Sequence, residues 1–186
     1  MADMLATPTD LASYLQADLD TATATLALEM ATSWIQREVG HRVLQVTDDI
    51  VTLDGGDRTV YLPGRPVVSV GLVTTTDCFG TVEIPTLNAD YRVRNYRLIR
   101  SGYRGVWPEV VTVTYTYGYA LEAVPQVIRG ICLAVAARVY LNPDGVRQET
   151  VGSTTMIYNT PLYSSGVYLT EQERADLTAY RAASAA

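Results

Sequence analysis

The stretch from residue 110 to residue 145, VVTVTYTYGYALEAVPQVIRGICLAVAARVYLNPDG, changes its periodicity near Gly118. Up to that glycine, apolar and threonine residues alternate, as they do on the two faces of a β-strand. Beyond Pro125, apolar residues recur at spacings of three and four, which predicts a helix that ends near Asn142-Pro143. A strand with one apolar face, followed closely by an apolar helix, indicates an α+β protein.

Each of these two elements has a predicted apolar face. The face of the strand carries Val111, Val113, Tyr115 and Tyr117. The face of the helix carries Val127, Ile128, Ile131, Val135 and Val139, and Ala134, Ala136 and Ala137 permit close helix approach.

The other helices are predicted from their capping residues. Thr7 followed by Pro8 starts a first helix, and Asp20 begins a second that ends at Gly40. Thr170-Glu171-Gln172-Glu173 is a capping box that opens a terminal helix. We therefore expect a small α-helical bundle with helices near 8–18, 20–39, 125–141 and 170–183. The apolar residues assigned to the inner faces of the first two helices are Leu11, Tyr14, Leu15, Leu26, Leu28, Met30, Trp34, Ile35 and Val39.

Residues of about 42–118 form a predicted antiparallel β-rich insertion between the second and third helices. Asp54-Gly55-Gly56-Asp57, Pro63-Gly64 and Ser101-Gly102 mark its turns. The predicted strands cover 48–53, 58–62, 66–75, 79–84, 90–94, 96–100 and 110–117. Farther along the chain, residues 142–169 are polar and rich in Gly, Ser and Pro, and we expect an extended interaction loop with one strand-like run, Thr154 to Tyr158.

Composition limits the architecture and the partners. A chain of 186 residues with 48% hydrophobic and 18% charged side chains fits one domain, residues 1–186, that carries an elaboration. No apolar run approaches a membrane span, and the N-terminus lacks a signal-peptide pattern, so we expect cytosolic synthesis. Cys78 and Cys132 are expected to be reduced thiols, with Cys132 in the core. A net charge of -6 disfavours a dedicated DNA-binding protein.

Side chains suited to catalysis are scarce. His41, the only histidine, follows a helix end, so a histidine-based zinc site is excluded and a serine triad would depend on that residue alone. The acidic residues of segment 48–57 lack the ligand spacing of a calcium loop and fit a polar turn. No glycine-rich phosphate loop is present. We predict a non-enzymatic protein with no catalytic residue, no metal site and no cofactor.

Basic and aromatic residues alternate in segment 91–107. Its members are Tyr91, Arg92, Arg94, Tyr96, Arg97, Arg100, Tyr103, Arg104 and Trp107. Such a pattern can stack on and neutralise single-stranded nucleic acid. The arginines, however, alternate with Val93 and Ile99, which favours the outer surface of a sheet that is solvated or contacts another subunit. We take Arg92, Arg94, Arg97 and Trp107 as possible contacts on this sheet surface.

Several stretches of the chain resemble the head-to-tail connector (adaptor) family of tailed bacteriophages. They are Ala6-Thr7-Pro8-Thr9-Asp10-Leu11, the helix end Val39-Gly40, Val111 to Tyr119, Val124-Pro125, Leu141-Asn142-Pro143-Asp144-Gly145-Val146-Arg147-Gln148-Glu149-Thr150-Val151-Gly152, and Leu169 to Glu173. The most specific part is the Asn-Pro-Asp-Gly-Val-Arg run with the following Glu-x-Val-Gly. Together these stretches cover about half of the residues, and the β insertion is larger than in the smallest members of the family.

The resemblance implies a structural virion protein that forms a closed ring, expected to be a dodecamer, between portal and tail. The implied partners are copies of the chain itself, the portal protein, and downstream neck or tail proteins such as a stopper or tail terminator. DNA passes through the channel without sequence-specific binding, and no membrane is involved. The expected location is the virion neck, after synthesis in the host bacterial cytoplasm.

We expect the interface between subunits or partners to lie in residues 142–169. Arg147 and Glu149 are the candidates for a charge pair between subunits, and Tyr158, Tyr163 and Tyr168 for aromatic anchors. The strand-like run can add to the sheet edge of a neighbour.

Two other interpretations remain open at this stage. The chain can be another phage neck component, such as a tail-completion protein or tail terminator, which would not bind portal rings. It can also be a small carbohydrate- or ligand-binding module, with Trp107, Tyr103 and Tyr96 as an exposed aromatic platform on the β insertion.

Overall fold

The computed structural model describes residues 4–102, 105–142, 148–151, 154–157 and 168–181. The chain divides into two compact units. The β unit, His41–Glu122, nearly coincides with the insertion predicted for residues 42–118, and the helical unit is built from the chain before and after it. Helices and antiparallel sheets together confirm the α+β prediction. That residues 1–186 act as a single domain stays a prediction.

The helical unit contains the four predicted helices. They are α1 (Pro8–Leu15), α2 (Thr21–Val39), α3 (Gln126–Leu141) and α4 (Glu171–Leu177), the last continued by a 3-10 turn, Thr178–Tyr180. The predicted caps are confirmed: the Thr7 hydroxyl accepts from the Asp10 amide at 3.1 Å, and Gly40 takes a left-handed conformation after α2. α1 is shorter than predicted because Gln16 already leaves the helical conformation.

The core of the helical unit uses a narrower part of each helix than the sequence predicted. Leu11, Leu28, Ile35, Ile128, Val135 and Leu177 are buried, as are the small residues Ala24, Ala27, Ala31 and Ala136. Tyr14, Leu26, Met30 and Val127 are exposed, so their assignment to the core was wrong. The physical reason is that small residues on α2 and α3 let the helices approach closely, which leaves the neighbouring apolar residues outside the contact.

The described part of the β unit contains seven strands in two sheets. The strands are β1 (Val46–Asp54), β2 (Thr59–Tyr61), β3 (Val67–Thr76), β4 (Val82–Glu83), β5 (Tyr91–Arg94), β6 (Arg97–Arg100) and β7 (Val110–Tyr117). The sheet orders are β1-β7-β3-β4 and β2-β6-β5, with antiparallel pairing throughout. Their shared core comprises Val60, Leu62, Val73, Tyr91, Leu98, Trp107, Val111, Val113, Tyr115 and Tyr117.

Strand β7 has the alternation that the sequence predicted. Val111, Val113 and Tyr115 are buried, whereas Thr112 and Thr114 are only partly covered. β7 pairs with β1 on one side and β3 on the other, which places it in the interior of its sheet. The predicted strand boundaries in this unit are confirmed to within a few residues, except that β4 is much shorter than predicted.

Strand β1 forms one edge of the four-stranded sheet. Its register against β7 shifts between Val46 and Asp49, and Asp48 has a positive φ of 52°. This combination is a β-bulge, which bends the strand and increases its local twist.

Two further strands lie in the segment that was expected to be an extended loop. β8 (Gln148–Val151) and β9 (Thr154–Ile157) form an antiparallel hairpin in which Glu149 faces Met156 in the register. The strand predicted for Thr154 to Tyr158 is therefore confirmed as β9. Its partner in the described residues is β8 of the same chain.

Candidate interaction surfaces

The outer face of the three-stranded sheet carries arginine and tyrosine side chains. The register places Tyr61, Arg97 and Arg94 in one row across β2, β6 and β5. Arg92 lies two residues before Arg94 and so on the same side. All three arginines are exposed, which confirms their predicted outward orientation. Tyr96 contacts this row, and Arg65 contacts Tyr96. The surface is here called the cationic face and comprises Tyr61, Arg65, Arg92, Arg94, Tyr96 and Arg97.

Tyr96 lies at the centre of the cationic face. The Arg65 guanidinium is 3.7 Å from its ring centroid, the Arg97 guanidinium is 5.5 Å away, and the Tyr61 ring is 6.1 Å away. These are cation–π distances. Hydrogen bonding from Arg97 and the charge of Arg65 lower the pKa of the Tyr96 phenol below its ordinary value, and the same contact raises the pKa of Arg97.

Arg94 and Arg97 are directly opposite each other across β5 and β6. Like charges at opposed positions of an antiparallel pair repel and destabilise the hairpin. The hairpin turn is Asn95-Tyr96, with Asn95 in a left-handed conformation that asparagine tolerates. The sheet therefore holds two cations side by side at its surface.

Trp107 is not part of this surface. It is 1% exposed, its indole nitrogen donates to the Leu98 carbonyl oxygen at 3.1 Å, and its ring lies 5.7 Å from that of Tyr91. The prediction that Trp107 contributes an exposed contact was wrong, because the tryptophan fills the core between the two sheets. A carbohydrate platform that includes Trp107 loses its largest ring.

Arg100 also differs from the prediction. It follows Leu98 on the inward side of β6, and its guanidinium lies 5.1 Å from the Trp107 ring and 3.6 Å from the Glu83 carboxylate. A residue two positions from a buried leucine on a strand shares its face. Arg100 therefore covers one end of the core and does not extend the cationic face.

Most residues predicted to form the interface in 142–169 lie outside the described residues. This applies to Arg147, Tyr158 and Tyr163, and likewise to Tyr103 and Arg104 of the basic segment. Glu149 is placed only through its backbone, in β8. Their roles stay predictions.

Tyr168, the remaining predicted anchor, contacts its own helical unit. The Arg138 guanidinium lies 4.8 Å from its ring centroid, and Arg138 Nη2 donates to the Tyr168 carbonyl oxygen at 3.2 Å. The same nitrogen is 2.9 and 2.8 Å from the two carboxylate oxygens of Glu173. Arg138 of α3 thus holds both Tyr168, three residues before α4, and the first turn of α4.

The remaining predictions concern the two cysteines, metal binding and membrane spans. Cys78 is exposed and Cys132 is buried, both as free thiols, and burial raises the pKa of Cys132 to about 11. Within the described ranges, no three His, Cys, Asp or Glu side chains cluster closely enough to hold a metal ion, and this includes the acidic segment 48–57. No helix in the described part of the chain is long and apolar enough to cross a membrane.

Comparison with known proteins identifies relatives only at the level of structure. No family model and no curated protein matches the chain. A chain from the neck of an empty gene transfer agent (GTA) particle, computed with C6 symmetry, superposes with a TM-score of 0.58 at 17% identity, covering 98% of this chain and 92% of that chain. This chain has the fold of a gene transfer agent neck chain.

Two further structures agree. A chain from the neck of the native GTA particle, computed with C12 symmetry, has a TM-score of 0.54 at 18% identity, covering 100% of this chain and 97% of that one. A chain from the virion of the native particle has a TM-score of 0.57 at 14% identity, covering 98% and 92%. At these identities the likeness establishes the fold. It confirms, at that level, the resemblance to phage connectors.

Sequence reasoning missed Arg65 and Tyr61, which complete the cationic face. Tyr61 ends β2, and Arg65 lies in the Pro63-Gly64-Arg65-Pro66 turn, more than 25 residues before the basic segment. The turn signal was visible, but nothing in the sequence paired β2 with β6. Only the register brings these two residues to Tyr96.

Proposed function

We propose that this protein is a structural, non-enzymatic subunit in the neck of a tailed-phage-like particle. The observation that supports the proposal is the fold similarity to chains from a particle neck, which extends over nearly the full length of both proteins. A shared small motif would align only part of each chain, whereas these alignments include both the helical unit and the β unit.

Within the neck, the proposed role is that of a head-to-tail adaptor. Copies form a ring, a dodecamer, between the portal protein and a stopper or tail terminator, extending the DNA channel and offering the tail its docking surface. The C6 and C12 symmetries of the neck structures are consistent with such a ring. The net charge of -6 suits a channel wall that lets DNA slide past without binding it. The mature location is the virion neck, after synthesis in the host bacterial cytoplasm.

The β8–β9 hairpin is proposed to join neighbouring subunits. Each strand of a two-stranded sheet has one edge without a partner strand among the described residues, and such an edge can add a strand of another chain. Arg147 and Glu149 then pair between subunits, while Tyr158, Tyr163 and Tyr168 anchor the contact. Individually weak contacts gain strength through repetition around a closed ring.

The decisive experiment mixes the purified chain with portal rings encoded by the same particle. The adaptor proposal predicts co-sedimentation and, by cryo-electron microscopy, a ring of this chain on the exposed end of the portal. A tail terminator or tail-completion protein would instead bind tail tubes and leave the portal bare. Failure to bind portal rings under any ionic condition contradicts the adaptor role.

Charge-exchange variants test the predicted subunit contact. Arg147→Glu and Glu149→Arg should each weaken ring formation, because each places like charges across the interface. The double variant R147E/E149R restores opposite charges and should recover most of the loss. Glu122→Arg, at an exposed position between β7 and α3, serves as the control for net charge. If all the single variants, including the control, weaken ring formation equally, the proposed pairing of Arg147 with Glu149 is refuted.

A further inference from the structure

We infer that the cationic face binds the acidic helical unit of a second copy of the chain. The inference rests on the ring proposed above and specifies one of its contacts. A head-to-tail ring joins two different patches on each subunit, so one molecule must carry both halves of the contact. The cationic face and the acidic side chains of the helical unit supply two such halves of opposite charge.

The charge distribution along the chain is uneven. Strands β2, β5 and β6, which form the cationic face, contain no acidic residue. The sequence outside residues 41–122 carries nearly twice as many acidic residues as arginines. On the helical unit, Asp18, Glu29 and Glu171 are exposed, and none of them has an ion pair among the described residues. Charge complementarity therefore exists between the cationic face of one copy and the helical unit of another.

The cationic face also has unused hydrogen-bonding capacity. Arg94 and Arg97 are exposed, repel each other across the strands, and have no ion pair among the described residues. A carboxylate placed between guanidinium groups accepts short, charge-assisted hydrogen bonds from both. Carboxylates of a second copy would relieve the repulsion, which no contact within the described β unit does.

The aromatic rings of the cationic face favour carboxylates over nucleic-acid bases as the ligand. Arg65 covers the Tyr96 ring at 3.7 Å, and Arg97 lies 5.6 Å from the centroid of Tyr61. Base stacking needs an open ring face. The Arg65 guanidinium therefore covers one face of Tyr96, and Tyr61, although exposed, lies beside Arg97, so both rings help to hold arginines in position.

The test reverses the charges of the cationic face in the full-length protein. Arg94→Glu with Arg97→Glu should raise the concentration needed for ring assembly on portal rings about tenfold or more. The matched control, Arg37→Glu with Arg174→Glu, changes net charge equally but acts on exposed arginines of the helical unit. It should leave assembly unchanged or strengthen it. Equal weakening by the two double variants would overturn the inference, because only general repulsion would then be at work.

A photo-crosslink identifies the surface that the cationic face contacts. Ile99 lies on the outer side of β6 between Thr59 and Arg92, and p-benzoylphenylalanine at this position reports its neighbours. With a mixture of isotopically light and heavy copies, we expect intermolecular crosslinks to peptides from residues 4–40 or 168–181. Crosslinks confined to another β unit, or to the portal, would refute the assignment.

Two controls separate this inference from its alternatives. A fluorescent oligothymidine of about twenty nucleotides should bind the wild-type protein only weakly. If it binds tightly and in a salt-sensitive way, and R94E/R97E abolishes that binding, the cationic face is a nucleic-acid site and the inference is refuted. Normal ring assembly by R94E/R97E refutes only the cationic-face contact. Failure of the wild-type chain to form any ring on the portal refutes the proposed function itself.

Discussion

Replacing Glu173 by alanine should detach α4 from the helical unit more than the same change at any other polar residue of that helix. The Glu173 carboxylate accepts from Arg138 Nη2 at 2.9 and 2.8 Å and from the Thr170 backbone amide at 2.8 Å. One carboxylate therefore completes the capping box and forms the ion pair with α3. The alanine variant loses both and leaves the Arg138 guanidinium partly buried without its anion.

The expected loss follows from these contacts. A hydrogen bond to a charged group contributes about 1.5–3 kcal/mol, and a lost cap costs about 1 kcal/mol. The side chains of Arg138 and Glu173 are 27% and 14% exposed, so solvent screens the pair only moderately. We expect a loss of about 2–3 kcal/mol for Glu173→Ala and about 1 kcal/mol for Glu173→Gln, which keeps an acceptor for the cap. Glu171→Ala, at an exposed position of the same turn, should lose less than about 0.5 kcal/mol.

Hydrogen exchange of the α4 amides measures this effect locally. A loss of about 2–3 kcal/mol should accelerate exchange in Glu171–Leu177 roughly 30- to 160-fold, while the amides of β7 keep the wild-type rate. Urea denaturation followed by helical circular dichroism gives the corresponding loss for the unit as a whole. If Glu173→Ala and Glu171→Ala accelerate exchange equally, the pair with Arg138 does not hold α4, and the assignment is refuted.

Three further predictions follow from single positions. A Cβ on Gly55 would overlap the carbonyl oxygen of Pro108, so Gly55→Ala should destabilise the β unit by roughly 2–3 kcal/mol in urea denaturation, and an unchanged midpoint would contradict the turn geometry. Burial alone would raise the pKa of Asp10, but its hydrogen bonds, including that from Arg129, lower it below 3.8. The stability that Asp10 contributes is therefore complete above its ordinary pKa and lost as pH falls through the lower folded-state value, so Asp10→Asn should flatten the decline in unfolding free energy below pH 4. At pH 8, Ellman's reagent should titrate exposed Cys78 at once and buried Cys132 only on unfolding; two rapidly reacting thiols would disprove this packing.

Local signals in the sequence predicted the elements of this fold well. Capping residues such as Thr7, Asp20 and Thr170 act within one helical turn, and each begins a helix as expected. The alternation in β7 reflects a strand that has a core on one side, so its buried face was predicted correctly. Both kinds of signal depend on residues that are close in the sequence, so they can be interpreted correctly without knowledge of the tertiary contacts.

The errors concern which of several apolar or aromatic residues reach the core. Leu26 and Met30 have the spacing of a buried face, yet α2 packs through its alanines, and periodicity alone cannot tell a core-facing stripe from one left for a partner. Trp107 lies outside the segments that have the periodicity of a strand, so the sequence pattern did not indicate that its side chain fills the space between the two sheets. The cationic face was predicted only in part, because strand order joins Arg65 to Tyr96 across a long sequence separation.

The bulge in β1 bears on how the open edge of a sheet avoids unwanted association. A nine-residue edge strand with free amides and carbonyls would template open-ended stacking of sheets, the route to fibres. Asp48, held at a positive φ beside Asp49, interrupts the straight row of groups that an incoming strand would need and adds negative charge along it. A strand that approached this border would meet a bent backbone and repelling carboxylates, so open-ended growth through the β1 edge is disfavoured.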